Sequence, residues 1–277
     1  MREKGLPCPR YYPQGDFPYI VKPSAMSGSE GVTKIRNEKE MECFLASRDR
    51  NEWVAEEFLE GPSYSLEVIG TPGNYRTYHV TELFMDPVYD CKRVLSCPDF
   101  PADLKKQLEE ETIALAEMVR LHGIMDVEVI ESNSVLKILE IDARIPSQTP
   151  ITVYHATGWN MMAEMARVFG KGSAEEQALN DHEKYVSLEQ IRVEGTSVSV
   201  LGEHVMADAD MLSHRYDFCG ADEALTDYDP GKKNWAATLI CVAETEMELA
   251  EKRKQIPAEA AKLIGKEIAF RDDEPAL

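Results

Sequence analysis

No stretch of the sequence stays apolar for the roughly 20 residues needed to cross a bilayer. Residues 1–14 carry charge with no apolar run behind it of the kind that directs secretion. Cysteine pairs in a C-x-x-C spacing are absent too. Cys8, Cys43, Cys91, Cys97, Cys219 and Cys241 are scattered, which excludes a zinc knuckle or dithiol redox motif and fits reduced thiols in the cytoplasm. Basic residues are in short supply: 30 lysines and arginines stand against 50 acids, for a formal net charge of −20. Such a field repels phosphate backbones and anionic lipid, so neither nucleic acid nor a membrane is expected as a partner. Cationic small molecules suit it better, although most acids on such a surface serve solubility.

The 277 residues, 43% of them hydrophobic, can bury one large domain or two unequal ones. Pro7, Pro9, Pro13 and Pro18 exclude helix and central strand from residues 1–18, which read as a connector. A strand is expected over 19–22 and another over 32–35, then a helix capped by Asn37 and running to about residue 48, then a strand over 53–59 that stops at Gly61 and Pro62. These make a small α+β subdomain over 1–62. Residues 63–277 form a larger one, with strands expected over 64–70, 75–85, 125–131, 135–142 and 236–242. Its helices are expected over 102–122, with Leu104, Leu108, Leu115 and Val119 on one face, over 160–169, and in a C-terminal region interrupted by Pro257.

The hairpin over 125–142 is the most informative part. Side chains alternate faces along a strand, and burying Val127, Val129, Leu139 and Ile141 together requires Glu128 to lie opposite Glu140. Asp126, Glu128, Glu140 and Asp142 then share the other face, with Ile130 and Ile138 continuing it. Like charges across a strand pair repel unless a cation bridges them, and hard carboxylate oxygens suit Mg²⁺ carrying a phosphate ligand. An incidental acidic surface remains the plainer alternative. Arg144, of matching parity, can hold a carboxylate or phosphate through two hydrogen bonds.

Lys22 ends an apolar strand before a loop of small residues, Ser24 to Gly31, in which the amides of Ser27, Gly28, Ser29 and Gly31 could converge on an anion; the loop lacks the Walker pattern. Glu56, Glu57, Phe58 and Leu59 close a strand where backbone groups could meet an adenine. The six histidines show neither metal-ligand nor triad spacing and read as structural.

Taken in order, Val21-Lys22-Pro23, Glu57-Phe58-Leu59-Glu60-Gly61, Asp126-Val127-Glu128 and Glu140-Ile141-Asp142-Ala143-Arg144 resemble the ATP-grasp superfamily. Tyr64-Ser65-Leu66-Glu67, Tyr89-Asp90-Cys91-Lys92-Arg93 and Arg144-Ile145-Pro146-Ser147-Gln148-Thr149 are similar to its ligases that join 3-methyl-D-ornithine to L-lysine in pyrrolysine biosynthesis. The resemblance implies two α+β subdomains clasping ATP and an amide formed through an acyl phosphate, with release of ADP and phosphate. It implies nucleotide contacts from Lys22, the loop to Gly31 and residues 56–59, and Mg²⁺, or Mn²⁺ in its place, on Glu128, Glu140 and Asp142. Arg144 would stabilise the reacting groups, while Glu67, Asp86, Asp90, Arg144 and Ser147 would meet the amino acids. A homodimer is implied as well. Ligases of this type carry an α/β domain ahead of a Gly-Leu-Pro turn, here Gly5-Leu6-Pro7, so an absent or separately supplied N-terminal domain is expected; Ser63 stands where many relatives have a ribose-binding glutamate.

Overall fold

A computed structural model describes residues 5–25, 31–47, 52–170 and 177–275 of the chain. Among them are two sheets. The smaller joins β1 (Tyr19–Pro23), β2 (Thr33–Ile35) and β3 (Trp53–Glu57), all antiparallel in the order β2-β1-β3. Helix α1 (Glu38–Ala46) starts at Asn37, whose side chain accepts the N–H of Glu40, the cap expected for that residue. Tyr19, Val21 and Ile35 bury one face of this sheet against Met41 of α1. The other face of β1, carrying Lys22, is left for something else.

The larger sheet contains β4 (Ser63–Thr71), β5 (Asn74–Thr77), β6 (Thr81–Met85), β7 (Cys91–Ser96), β8 (Gly123–Ser132), β9 (Val135–Asp142), β10 (Tyr185–Glu194), β11 (Ser197–Val200), β12 (Ser213–Phe218), β13 (Ala221–Thr226), β14 (Asn234–Ala243) and β15 (Ala269–Arg271). Its spine runs β12-β13-β14-β10-β7-β6-β4-β8-β9, with β5 on β4, β11 on β10, and β15 parallel to β11. On one face, α2 (Ala102–Val119) packs Leu108 and Leu115 onto Leu66, Val68, Val127, Val129 and Ile138. On the same face α5 (Glu246–Ile264) lays Leu249 and Ile256 on Ile191, Trp235 and Leu239. Helices α3 (Thr149–Thr157) and α4 (Met161–Val168) cover part of the opposite face, α3 near Val186, Leu188 and Ile240 and α4 near Ile69 and Ile124. Each fully buried aliphatic side chain contributes about 1.5–3 kcal/mol. The apolar face of β4 and β8 can therefore carry a costly arrangement on the other face.

Several expectations need correction. The helix over 102–122 stops at Val119, because Arg120 turns left-handed (φ 53°), and Val119 is exposed instead of completing the buried stripe. The strand over 75–85 is two strands: β5 folds back on β4, and β6 starts only at Thr81. Pro257 does not interrupt the last helix. One i→i−4 bond, worth about 3 kcal/mol with its strain, is given up there, while Ile256 and Ala260 stay buried against the sheet. Helix α3 was not expected, and no helix among the described residues is long and apolar enough to cross a membrane.

The link between the two sheets passes Gly61, at φ 147°, where a Cβ would sit 1.8 Å from the carbonyl oxygen of Glu131 on β8. Gly61→Ala must push the link off the sheet, and a loss of about 3 kcal/mol is expected, read as a lower urea midpoint at unchanged slope. An unchanged midpoint would show that the link has room to move.

Candidate active site

The uncovered face of β4, β8 and β9 is acidic by construction. Residues Ser65-Leu66-Glu67-Val68 and Asp126-Val127-Glu128-Val129 alternate polar and aliphatic, so once Leu66, Val68, Val127 and Val129 are buried the others must point the opposite way. Register then lines them up in rows. Glu67 lies opposite Asp126, which lies opposite Asp142; Ser65 lies opposite Glu128, which lies opposite Glu140. The expected pairing of Glu128 with Glu140 is found. A bulge between Glu128 and Val129 then shifts the register, so Val129 faces Ile138. It corrects the reading of the aliphatic residues: Ile138 joins the buried core, whereas Leu139 turns to the acidic side.

Five carboxylates in so small a space repel one another. Burial pushes Glu128 up to about 8, with Asp126, Glu140 and Asp142 adding to the effect and Arg144 opposing it. Burial likewise raises Asp126 to about 6, although the Ser65 hydroxyl donates to its Oδ1. Glu67 is fully buried with no close hydrogen bond to either oxygen, and burial with the nearby Asp126 raises it to about 8 against the weaker effect of the Thr149 hydroxyl. Arg144 is committed to Asp142 at 2.6 Å.

Across from this wall the small sheet presents Lys22, whose Nζ lies 3.1 Å from Glu56 of β3. Both residues line one cleft of about 440 Å³ together with Ser24, Asp90, Asp126, Glu128, Glu140, Asp142, Arg144 and Ser147. Eight of the expected site residues, Lys22, Glu56, Asp90, Glu128, Glu140, Asp142, Arg144 and Ser147, are thus brought together from two sheets, while Glu67 is buried outside the cleft lining. Other residues are placed elsewhere. Glu57 sits on the opposite face of β3, bound to Arg10 at 2.6 Å and Lys137 at 2.5 Å, which hold it below the usual carboxylate range against the effect of its burial. The backbone N–H groups of Glu57 and Phe58 are taken by the carbonyls of Arg10 and Pro18, the Phe58 ring carries the Lys34 ammonium at 3.7 Å, and Leu59 is buried. Asp86 is buried away from the cleft and accepts the N–H groups of Val88, Asp90 and Gly202. Gly31 lies against Pro23; Ser27, Gly28 and Ser29 fall outside the described residues.

Sequence reasoning missed Gln148, Tyr89 and Glu203, which also line the cleft. Glu203 accepts from the Ser147 hydroxyl and, at 3.3 Å, from Gln148 Nε2. Gln148 and Tyr89 lie within stretches already singled out for the resemblance and could have been included. Glu203 has no pattern around it.

Among the described residues no three potential ligands converge closely enough to grip an ion. The donor set still fits a hard divalent cation: Glu128, Glu140 and Asp142 are oxygen donors on facing strand positions, and Arg144 is the cation among them.

Two sheets clasping a cleft of this composition define an ATP-grasp architecture. Residues 1–148 match the family model described as an ATP-grasp domain, and the chain belongs to that family. It is 36% identical over 207 residues to the 3-methyl-D-ornithine–L-lysine ligase of Methanosarcina acetivorans, a match covering 74% of this chain and 54% of that protein. The chain spans about half the length of the curated relatives it matches. Among solved structures, the biotin carboxylase of Campylobacter jejuni superposes with a TM-score of 0.70 at 16% identity over 93% of this chain and 64% of that one. The L-amino acid ligase of Bacillus licheniformis gives 0.62 at 15% identity, over 92% and 67%. At these identities the likeness is one of fold.

The raised carboxyls predict a pH dependence. The folded chain keeps protons on Glu67 and Glu128 that the unfolded chain releases near 4.5, so their stabilising contribution is complete below about pH 4.5 and is lost as pH rises toward about 8. The protein should melt at a lower temperature at pH 8 than at pH 6, and Mg²⁺ should restore more of the loss at pH 8, where it displaces fewer protons. Glu128→Gln should flatten both trends in a thermal melt. If the variant melts with the wild-type pH dependence, Glu128 is not a strained carboxyl.

Proposed function

We propose that this chain is the nucleotide-binding and catalytic part of an ATP-dependent carboxylate–amine ligase that joins the carboxyl of 3-methyl-D-ornithine to the ε-amine of L-lysine. The observation that carries the reading is the row of Asp126, Glu128, Glu140 and Asp142 facing Lys22 across the cleft. Family membership supports the nucleotide, and the likeness to 3-methyl-D-ornithine–L-lysine ligases supports the amino acids. Residues 1–62 would act as a lid and residues 63–277 as the body. The two sheets on either side of the cleft favour that division.

A carboxylate is a poor electrophile and needs a leaving group. In the proposed reaction a carboxylate oxygen of the ornithine attacks the γ-phosphorus of ATP, the bond to the β-phosphate breaks, and ADP leaves. The amine then attacks the acyl carbon, and phosphate departs with the C–O electrons. Catalysis of this kind is largely positioning and charge neutralisation. Glu128, Glu140 and Asp142 would hold Mg²⁺ or Mn²⁺, which when bound offsets charge on the phosphates. Lys22 adds a positive charge from the lid, and Arg144 can exchange Asp142 for the acyl phosphate. Lid closure would keep water from the acyl phosphate.

The diamino acids are cations, and Glu67 suits one of their ammonium groups. It is a buried carboxyl whose one polar side-chain neighbour besides Asp126 is the Thr149 hydroxyl, too far for a close hydrogen bond. An ammonium placed there would satisfy groups that are otherwise costly to bury. Asp90 and Ser147, which line the cleft, are further candidates, whereas Glu67 lies buried behind its wall beside Asp126.

ADP release by the purified chain with ATP, Mg²⁺, L-lysine and D-ornithine or its 3-methyl form tests the reading. Release should require both amino acids and fall at least about a hundredfold in Lys22→Met and in Glu140→Ala. Release with D-alanine but not with diamino acids would contradict the substrate assignment. The family model's match to residues 1–148 supports a second reading, in which these residues bind nucleotide without turning it over. Nucleotide binding that depends on Glu140 without ADP release would select that reading.

A further inference from the structure

The proposed reaction needs a group that takes a proton. An aliphatic amine is an ammonium ion at neutral pH, with an ordinary pKa of about 10.4, and cannot attack carbon until it loses a proton. None of the residues assigned above does this.

Asp90 lines the cleft that holds Arg144, Asp142 and Ser147. Its Oδ1 accepts the N–H of Cys91 at 3.0 Å, and its Oδ2 accepts the N–H of His204 at 3.0 Å and lies 2.6 Å from His204 Nδ1. His204 is part of a short 3-10 turn, Glu203–Met206, and its side chain is 52% exposed. A continuous path therefore leads from the cleft through Asp90 and the imidazole to bulk water.

The path is held from several sides. Asp86 fixes the turn that carries Asp90 and binds the N–H of Gly202 at 3.0 Å. Glu203, next to His204, is tied to Ser147 and Gln148 on the far side of the cleft mouth. A Cβ on Gly202 would come within 2.2 Å of Asp90 Oδ2, so only glycine lets the turn approach this closely. The charged groups around the imidazole are Asp86, at 3.9 Å, with Asp90 and Glu203 on the cleft side, and Arg192, Glu194 and Asp208 around a second cavity of about 200 Å³. Acids predominate, so a proton in transit meets negative charge on both sides.

We propose that Asp90 accepts the proton of the attacking ammonium and that His204, acting through Asp90, passes it to solvent. This rests on the ligase reading. The N–H bond breaks toward Asp90, the freed lone pair forms the bond to the acyl carbon, and phosphate leaves with the C–O electrons. With His204 as the Nε2–H tautomer, Nδ1 takes the proton from Asp90 as Nε2–H releases one to water; exchange of the exposed ring with solvent then returns the N–H from Nδ1 to Nε2. Asp90 is then a catalytic residue and His204 a positioning and relay residue, a role that its sequence spacing did not suggest.

Hydroxylamine separates the relay from the chemistry before it, because it is neutral at neutral pH and captures an acyl phosphate as a hydroxamate without a base. Wild type, Asp90→Asn and His204→Gln would be compared with ATP, Mg²⁺ and D-ornithine, using either L-lysine or hydroxylamine as the amine. Both variants should lose about a hundredfold in amide formation and roughly ten times less in hydroxamate formation, and added imidazole should return part of the amide rate to His204→Ala. Equal loss of both products, or full amide formation in the variants, overturns the relay. A wild-type protein that forms neither product overturns the reading of this chain as a ligase acting alone, and the relay in it.

Discussion

Period-two alternation along β4 and β8 is the constraint on which the rest depends. Leu66, Val68, Val127 and Val129 bury against α2, and the same backbone must turn Ser65, Glu67, Asp126 and Glu128 to the opposite face. Nothing about those carboxylates favours their being together. They are held by sheet hydrogen bonds and by an apolar layer whose burial outweighs their repulsion. The raised protonation of Glu67, Asp126 and Glu128 is the visible sign of that cost.

A cluster of acids of which only Asp142 has a basic partner is suited to something that brings positive charge. Three sources surround it: Lys22 on the small sheet, Arg144 at the end of β9, and cations arriving from solution. Each of the two basic residues already has an acid of its own, Glu56 at 3.1 Å and Asp142 at 2.6 Å. Neither neutralises Glu67 or Glu128. The cleft can thus take a metal-bound polyphosphate beside a cationic amino acid, while the overall charge of −20 disfavours larger polyanions.

The acidic hairpin was legible because burying Val127, Val129 and Ile141 together requires Glu128 opposite Glu140; the two-residue turn at Asn133 and Ser134, both at positive φ, by itself sets a register one residue away, and the bulge restores that pairing. The bulge after Glu128 was not legible, since one extra residue changes no composition and moves only Leu139 and Ile138 between faces. Helix α3 escaped notice because its sequence, Thr-Pro-Ile-Thr-Val-Tyr-His-Ala-Thr, is β-branched and poor in helix formers; it is held by burial of Thr152, Val153 and Ala156. Glu203 and His204 were invisible for another reason. Their place in the site comes from contacts with Asp90, Ser147 and Gln148, far away in the chain, and no local period encodes them.

The central claim is that the β8–β9 acidic face binds the metal of a nucleotide facing Lys22. Crystals grown with Mn²⁺ and a non-hydrolysable ATP analogue would locate the metal through its anomalous scattering. The account predicts a peak about 2.1 Å from oxygens of Glu128 and Glu140, with phosphate oxygens between the metal and Lys22. A peak at another cluster of acids, or a nucleotide bound away from Lys22, would contradict it.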